Sequence, residues 1–252
     1  MGHPYALSGG LGVPLSGRAW GCPSSARLGV PLRWYGRWQG GRVTGDDGGG
    51  DAHGGLQDDG RGDLLAYLRD GRAALVWKLE GLAELDVRRP LTPTGTNLLG
   101  LVKHLAHVEA GYLGGALGRP FPDLPWPPRA DDADLWARAD EPREAVLDLY
   151  RRAQEHAEAT VAALPPGAVG EVPWWPPGRR RATVHHLLVR VLTDTQRHAG
   201  QADVLREGLD GAAGLLPGTS SLAEEDPGRR AAYRDRLEAV ARDAARRAGG
   251  RV

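Results

Sequence analysis

Apolar residues recur every three or four positions through four long segments of the chain, which is the spacing of one face of an α-helix. These segments are residues 63–82, 97–117, 141–164 and 183–209. Asp63, Thr96 and Thr183 stand at the start of three of them, and each is a residue type that caps helix N-termini. No convincing alternation of apolar and polar residues, typical of a strand, occurs between the segments. The pattern therefore predicts an all-α fold built as a four-helix bundle.

Two long connections separate the predicted helices. The first, residues 118–140, is rich in proline, and the second, residues 165–181, reads PPGAVGEVPWWPPGRRR. Connections of this length in a compact domain usually have a function, and we expect these two to cross the end of the bundle and enclose a pocket. A further amphipathic segment, residues 227–248, carries many arginines. We expect it to form an extra C-terminal helix that packs outside the bundle.

The first part of the chain lacks both helical and strand periodicity. Residues 1–60 are rich in glycine and include GDDGGGDAHGG, which resembles a flexible linker. We expect residues 1–60 to be a disordered extension and residues 61–252 to form the helical domain. Three tryptophans and several arginines in the extension leave a short docking motif as the alternative.

Composition narrows the class of partner. The 252 residues include 32 basic and 32 acidic side chains, so net charge gives no reason to expect nucleic acid or an anionic membrane as a partner. A small molecule is the expected partner. The single cysteine, Cys22, cannot form an intramolecular disulfide, which predicts a reduced, cytoplasmic protein. No apolar run approaches the roughly 20 residues of a membrane-spanning helix.

Two polar side chains fall on the apolar face of the fourth predicted helix. Asp194 and His198 are four residues apart and share that face with Val191 and Leu205. Burying a carboxylate there without a partner would cost several kcal/mol, so a compensating group is required. His104 lies among leucines and valines on the second predicted helix in the same way.

Two imidazoles and one carboxylate from two helices make a ligand set for a divalent metal, with further coordination positions left for water or substrate. The alternative is structural. Asp194 and His198 would then form a local pair within one helix, and His104 would be a hydrogen-bonded core histidine.

Three stretches carry a resemblance to a known family: NLLGLVKHLAHVEAGYLGGALGRPFP, EVPWWPPGRRRATVHHLLVRVLTDTQRHAGQADVLREGLDG and AAYRDRLEAVARDAA. Together they resemble the DinB-like (YfiT-like) superfamily of four-helix metalloproteins, especially the branch related to mycothiol-dependent enzymes. The resemblance spans residues 63–248. It implies that His104, Asp194 and His198 bind a divalent cation, zinc or nickel. It also implies a low-molecular-weight thiol cosubstrate: mycothiol, bacillithiol or glutathione.

The resemblance further implies a thiol S-transferase or isomerase that acts on a small electrophile, in detoxification or secondary metabolism. Cys22 lies outside the predicted helices, so the sulfur is expected to arrive with the cosubstrate. The alternative is a non-catalytic, stress-linked metal-binding bundle, since many DinB-like proteins have no established activity. Relatives often pair, so a homodimer through the last helix is one arrangement that the resemblance allows.

Further residues are candidates for contact with substrate or for support of the ligands: Arg190, Arg197, Gln201, His107 and Trp175. Gln201 and Arg190 stand where related sequences carry histidine. Gln201 retains hydrogen-bonding capacity, and Arg190 could bind a substrate carboxylate. Trp174 and Trp175 have two open interpretations: a lid that receives the thiol, or hydrophobic plugs over the end of the bundle.

Overall fold

The computed structural model of the protein describes residues 60–122, 124, 132–219 and 226–249. The prediction of a disordered extension lies outside these residues, apart from Gly60, and stays a prediction. Six α-helices, one short 3-10 helix and one small sheet make up the secondary structure of the described ranges, which confirms the predicted all-α class. None of these helices combines the length and apolar character needed to cross a bilayer.

Four long helices correspond to the four predicted segments. In chain order the helices are α1 (Arg61–Trp77), α2 (Glu84–Arg88), α3 (Leu98–Tyr112), α4 (Arg143–Ala163), α5 (Val184–Asp210) and α6 (Pro227–Arg247). α3 packs against both α4 and α5, and α1 packs against α5. A short 3-10 helix, Gly115–Leu117, follows α3. The predicted segments 63–82 and 97–117 therefore extended too far at their carboxyl ends.

The helix caps correct two details of the prediction. α3 is capped by Asn97, whose Oδ1 accepts a hydrogen bond from the Gly100 amide at 2.7 Å. Thr96 instead belongs to the preceding turn, where its amide donates to the Thr92 hydroxyl at 3.0 Å. Asp63 lies in the first turn of α1 and is not its cap. Thr183 caps α5 as predicted.

A two-stranded sheet precedes α5, and the sequence pattern did not reveal it. Strands β1 (Val169–Glu171) and β2 (Arg181–Thr183) pair antiparallel and join the ends of the second long connection. Three residues are too few to show a period of two. Gly170 brings this hairpin onto the 3-10 helix, since a Cβ there would lie 2.2 Å from the Ala116 carbonyl oxygen.

The bundle interior contains an ion pair as well as leucines. Arg72 on α1 donates two hydrogen bonds to the fully buried carboxylate of Glu109 on α3, at 2.9 and 2.6 Å. A third bond, at 2.5 Å, joins Arg72 to Glu158 on α4. Burial raises the pKa of Glu109, while the adjacent Arg72 charge opposes that rise. One guanidinium thus connects three helices.

α6 differs from the other long helices because none of its described residues is buried. Tyr233, Leu237 and Val240 are exposed on it. This agrees with the expectation of a helix outside the core.

Candidate metal centre

The three side chains on predicted apolar faces meet where α3 packs against α5. His104 extends from α3, and Asp194 and His198 extend from consecutive turns of α5. The Asp194 carboxylate lies between the rings, with its oxygens 4.0 Å from His104 Nε2 and 3.9 Å from His198 Nε2. One ligand atom from each residue lies within 4.8 Å of the other two. The structure therefore brings the predicted ligand set together.

Each imidazole is held by a hydrogen bond at its other nitrogen. His104 Nδ1 is 2.7 Å from Asp134 Oδ2, and His198 Nδ1 is 2.7 Å from Gln201 Oε1. Because a carboxylate or amide oxygen only accepts, each Nδ1 carries the proton. Each Nε2 then has a lone pair directed at the shared centre, the arrangement that orients histidine ligands.

The pKa of His198 is lowered, chiefly by burial and also by the nearby His104. A neutral imidazole is the form that binds metal. Zinc ligands at about 2.0–2.2 Å from the ion lie roughly 3.4 Å apart, so small side-chain movements would bring the three donors to one cation.

Sequence reasoning missed Asp134, which lies in the first long connection. That connection has no periodic pattern, so the sequence does not indicate in which direction its acidic side chains point. Asn97 and Lys103 hold the segment against α3: Asn97 Nδ2 donates to the Leu135 carbonyl at 3.2 Å, and Lys103 Nζ donates to the Trp136 carbonyl at 2.9 Å. Gly100 permits this close approach, since a Cβ there would lie 1.9 Å from the Leu135 carbonyl oxygen.

Three further residues that the sequence analysis proposed as substrate contacts or ligand supports lie at different distances from the cluster. Arg190 Nη1 is 3.7 Å from Asp194 Oδ1, and its guanidinium lies 5.8 Å from the centre of the Tyr112 ring. Arg197 is exposed on α5, and its positive charge contributes to the lowered pKa of His198. His107 is outside the three-residue cluster. Burial, the largest influence, lowers the pKa of His107 to about 3.

Tyr112 is a second residue that the sequence analysis missed. Trp174 Nε1 and Trp175 Nε1 each donate a hydrogen bond to its hydroxyl oxygen at 3.1 Å. Burial acts to raise the pKa of Tyr112, but hydrogen bonds from both indoles and from Arg190 outweigh it, and the pKa is lowered. The partners are about 60 residues away along the chain, so no local pattern could have linked them.

Comparison with protein-family models identifies a related family. A family model described as Mycothiol-S-transferase matches residues 63–211, more than half of the chain. No curated protein matches the chain significantly. The matched range contains α1 without its first two residues, α2 to α5, and all three candidate ligands.

Proposed function

Because the chain belongs to the mycothiol-S-transferase family, we propose that it is a divalent-metal-dependent enzyme that joins mycothiol, or a similar thiol, to a small electrophile. The observation that carries this proposal is the ligand cluster of His104, Asp194 and His198. Its two imidazoles are already oriented by hydrogen bonds, and their free nitrogens face one carboxylate.

The residues present fit a divalent cation. Two neutral nitrogen donors and one carboxylate suit zinc or nickel, and three protein ligands leave coordination positions open. When bound, such a cation lowers the pKa of a coordinated thiol and so supplies a thiolate at neutral pH. His104, Asp194 and His198 would hold the cation, while Asp134 and Gln201 keep the imidazoles in the required tautomer.

The described residues contain no cysteine, which supports a sulfur nucleophile that comes from a cosubstrate. The chain's one cysteine, Cys22, lies outside the described ranges. Leu101, Leu105 and Val108 are buried on α3 within four residues of His104, and Leu187 and Val191 are buried on α5 ahead of Asp194. Such apolar neighbours on both helices would reduce the amount of water near a bound thiol, which would strengthen electrostatic interactions there.

Metal analysis and a conjugation assay test the proposal. The purified full chain, loaded with zinc or nickel, is expected to bind about one ion and to form a thioether from mycothiol and a haloalkyl electrophile, detected by mass. His104→Ala and His198→Ala are each expected to lose metal and turnover while keeping their helical spectrum. His185→Ala is the matched control, because that imidazole is exposed on the same helix.

Two outcomes would contradict parts of the proposal. A protein that binds no divalent metal would exclude the metal-dependent mechanism. Stoichiometric metal binding without thioether formation over a panel of electrophiles would instead favour the non-catalytic metal-binding bundle.

A further inference from the structure

The hydroxyl oxygen of Tyr112 is surrounded by hydrogen-bond donors. An indole N–H can only donate, so this oxygen accepts from both Trp174 and Trp175. Arg190, whose guanidinium lies 5.8 Å from the centre of the Tyr112 ring, adds a positive charge nearby. Within the described part of the chain, every hydrogen-bond partner of this oxygen is a donor, and none can accept the hydroxyl proton.

This environment stabilises a negative charge on the oxygen. Two indole N–H groups donate to it, and the positively charged Arg190 guanidinium lies against the ring. A hydroxyl with a purely structural role would be expected to use its proton in a bond to a carbonyl or carboxylate. Here the proton remains available to a bound molecule.

Arg190 connects Tyr112 to the ligand cluster. It follows His104 by eight residues on α3, so the two share a helix face, and helical side chains lean toward the N-terminus, here toward His104. Arg190 links the two places directly, since it contacts both Asp194 and the Tyr112 ring. A small molecule at the cluster could therefore reach the hydroxyl.

The tryptophans shield most of Tyr112 from solvent. Tyr112 is 5% exposed, whereas Trp174, which covers it, is 41% exposed. Trp174 rests on the bare backbone of Gly111, where a Cβ would lie 3.4 Å from its ring. The two indoles thus both enclose Tyr112 and set the polarity at its oxygen.

We propose that Tyr112 is a catalytic proton donor for electrophiles in which an oxygen departs from the attacked carbon, such as epoxides. This inference rests on the proposed transferase function. The thiolate sulfur forms a bond to an epoxide carbon as the carbon–oxygen bond breaks, and the electron pair of that bond stays on oxygen. The Tyr112 proton passes to this oxygen, which gives a hydroxy thioether. The remaining tyrosinate is stabilised by the Trp174 and Trp175 N–H groups and by the Arg190 charge. After the product leaves, it regains a proton from solvent, which balances the proton that the thiol released when it became a thiolate.

Two electrophiles separate this role from a structural one. Styrene oxide needs a proton for its departing oxygen, whereas benzyl bromide releases bromide without one. In the metal-loaded full chain, Tyr112→Phe is expected to lower kcat/KM with styrene oxide by about 10²-fold or more. Its kcat/KM with benzyl bromide is expected to stay close to the wild-type value. The ratio of the two values does not depend on how much of the variant is folded.

Metal content, the thermal midpoint and Tyr67→Phe complete the controls. Tyr67 is 53% exposed on α1, so its loss should leave both rates unchanged. If the wild-type protein reacts only with styrene oxide, the metal content of Tyr112→Phe decides the result. A variant that loses turnover but keeps its metal and its thermal midpoint supports the catalytic role. A variant that loses turnover together with its metal overturns it.

Other results also overturn the role. These are an equal loss with both electrophiles, no loss with either, and a wild-type enzyme that conjugates benzyl bromide but no epoxide. The last result leaves the transferase function standing. A wild-type protein that conjugates neither of these compounds nor any other electrophile of the panel overturns the transferase function and this inference together.

The two tryptophans act through Tyr112 and are positioning residues. Trp174→Phe combined with Trp175→Phe removes both donors to the oxygen, and it is expected to raise the pKa of Tyr112. The difference in tyrosinate absorbance between proteins with and without Tyr112, followed over pH, measures this change. If the Tyr112 pKa is unchanged in the double variant, Trp174 and Trp175 do not stabilise the tyrosinate as proposed.

Discussion

The two histidine ligands have different partners at Nδ1, and this makes them chemically unequal. His104 donates to the carboxylate of Asp134, whereas His198 donates to the neutral amide of Gln201. A carboxylate partner increases the basicity of an imidazole more than an amide does. His104 is therefore expected to be the stronger ligand of the pair, and Asp134 to matter more than Gln201.

Asp134→Asn is expected to weaken metal binding by about 10- to 100-fold, the usual effect of losing an outer hydrogen-bond partner. Competition with a chelator of known affinity measures the change. Asp140→Asn is the control, since Asp140 lies on the same connection but pairs with Arg138 at the surface. Equal affinities for Asp134→Asn and wild type would show that His104 is oriented without this carboxylate.

His107 predicts how stability depends on pH. Its pKa is about 3 in the folded protein and near 6.5 when unfolded, mainly because burial disfavours the charged ring. Between these values the unfolded chain binds more protons, so stability falls as pH decreases through this window. The slope from one group is at most about 1.4 kcal/mol per pH unit.

His107→Gln is accordingly expected to reduce the stability difference between about pH 5 and about pH 7.5. Urea unfolding of metal-free protein measures that difference, with the exposed His185→Gln as control. The burial argument would be wrong if His107→Gln and wild type lost equal stability on acidification.

At the scale of elements, one buried guanidinium joins α1 to both α3 and α4. Arg72 is 3% exposed, and its partner Glu109 is fully buried. Arg72→Met would leave the Glu109 carboxylate in the core without its counter-ion. Removing one partner of a buried pair costs about 3–5 kcal/mol, and denaturant unfolding is expected to show a loss of this size.

Arg69→Met is the matched control, because Arg69 also binds Glu158 but is exposed at the surface. An exposed pair contributes about 0–1 kcal/mol, so this variant should be close to wild type. Similar unfolding free energies for the two variants would show that Glu109 becomes protonated or hydrated at little cost.

The elements also show which features the sequence could predict. Apolar periodicity predicted the long helices and placed His104, Asp194 and His198 on faces that meet, because a helix fixes the direction of each side chain. It could not predict Asp134 or the Tyr112 contacts. Those depend on how two connections fold back onto α3, and a loop has no period from which direction can be inferred. The hairpin was missed because each strand has only three residues.

At the scale of the whole molecule, the bundle and α6 contribute differently to stability. α6 buries none of its described residues, and the family match ends at residue 211. Lys78, by contrast, is fully buried. Its ammonium donates a hydrogen bond to the Gly214 carbonyl and forms a salt bridge with Asp203. Residues just beyond α5 are thus part of the folded unit, although they lie past the matched range.

A chain that ends at residue 219 is expected to keep the thermal midpoint and metal affinity of the full chain. A chain that ends at residue 211 should be less stable by about 1–3 kcal/mol, since Lys78 loses a buried acceptor. Thermal unfolding of both truncations measures the effect. Destabilisation of the longer truncated chain would show that α6 packs on the bundle in solution.

The β1–β2 hairpin at the base of the second long connection, which carries Trp174 and Trp175, has a consequence for engineering. The two ends of the loop formed by residues 172–180 are held together. β1 pairs with β2 at its base, and the Val172 amide donates a hydrogen bond to the Arg180 carbonyl at 2.8 Å. Arg180 Nε also donates to the Trp175 carbonyl at 3.1 Å. Backbone opening would break these bonds together, whereas turning an indole breaks far fewer. Mutant libraries designed to accept bulkier substrates should therefore vary the side chains at positions 174 and 175 and keep the length of the 172–180 loop unchanged.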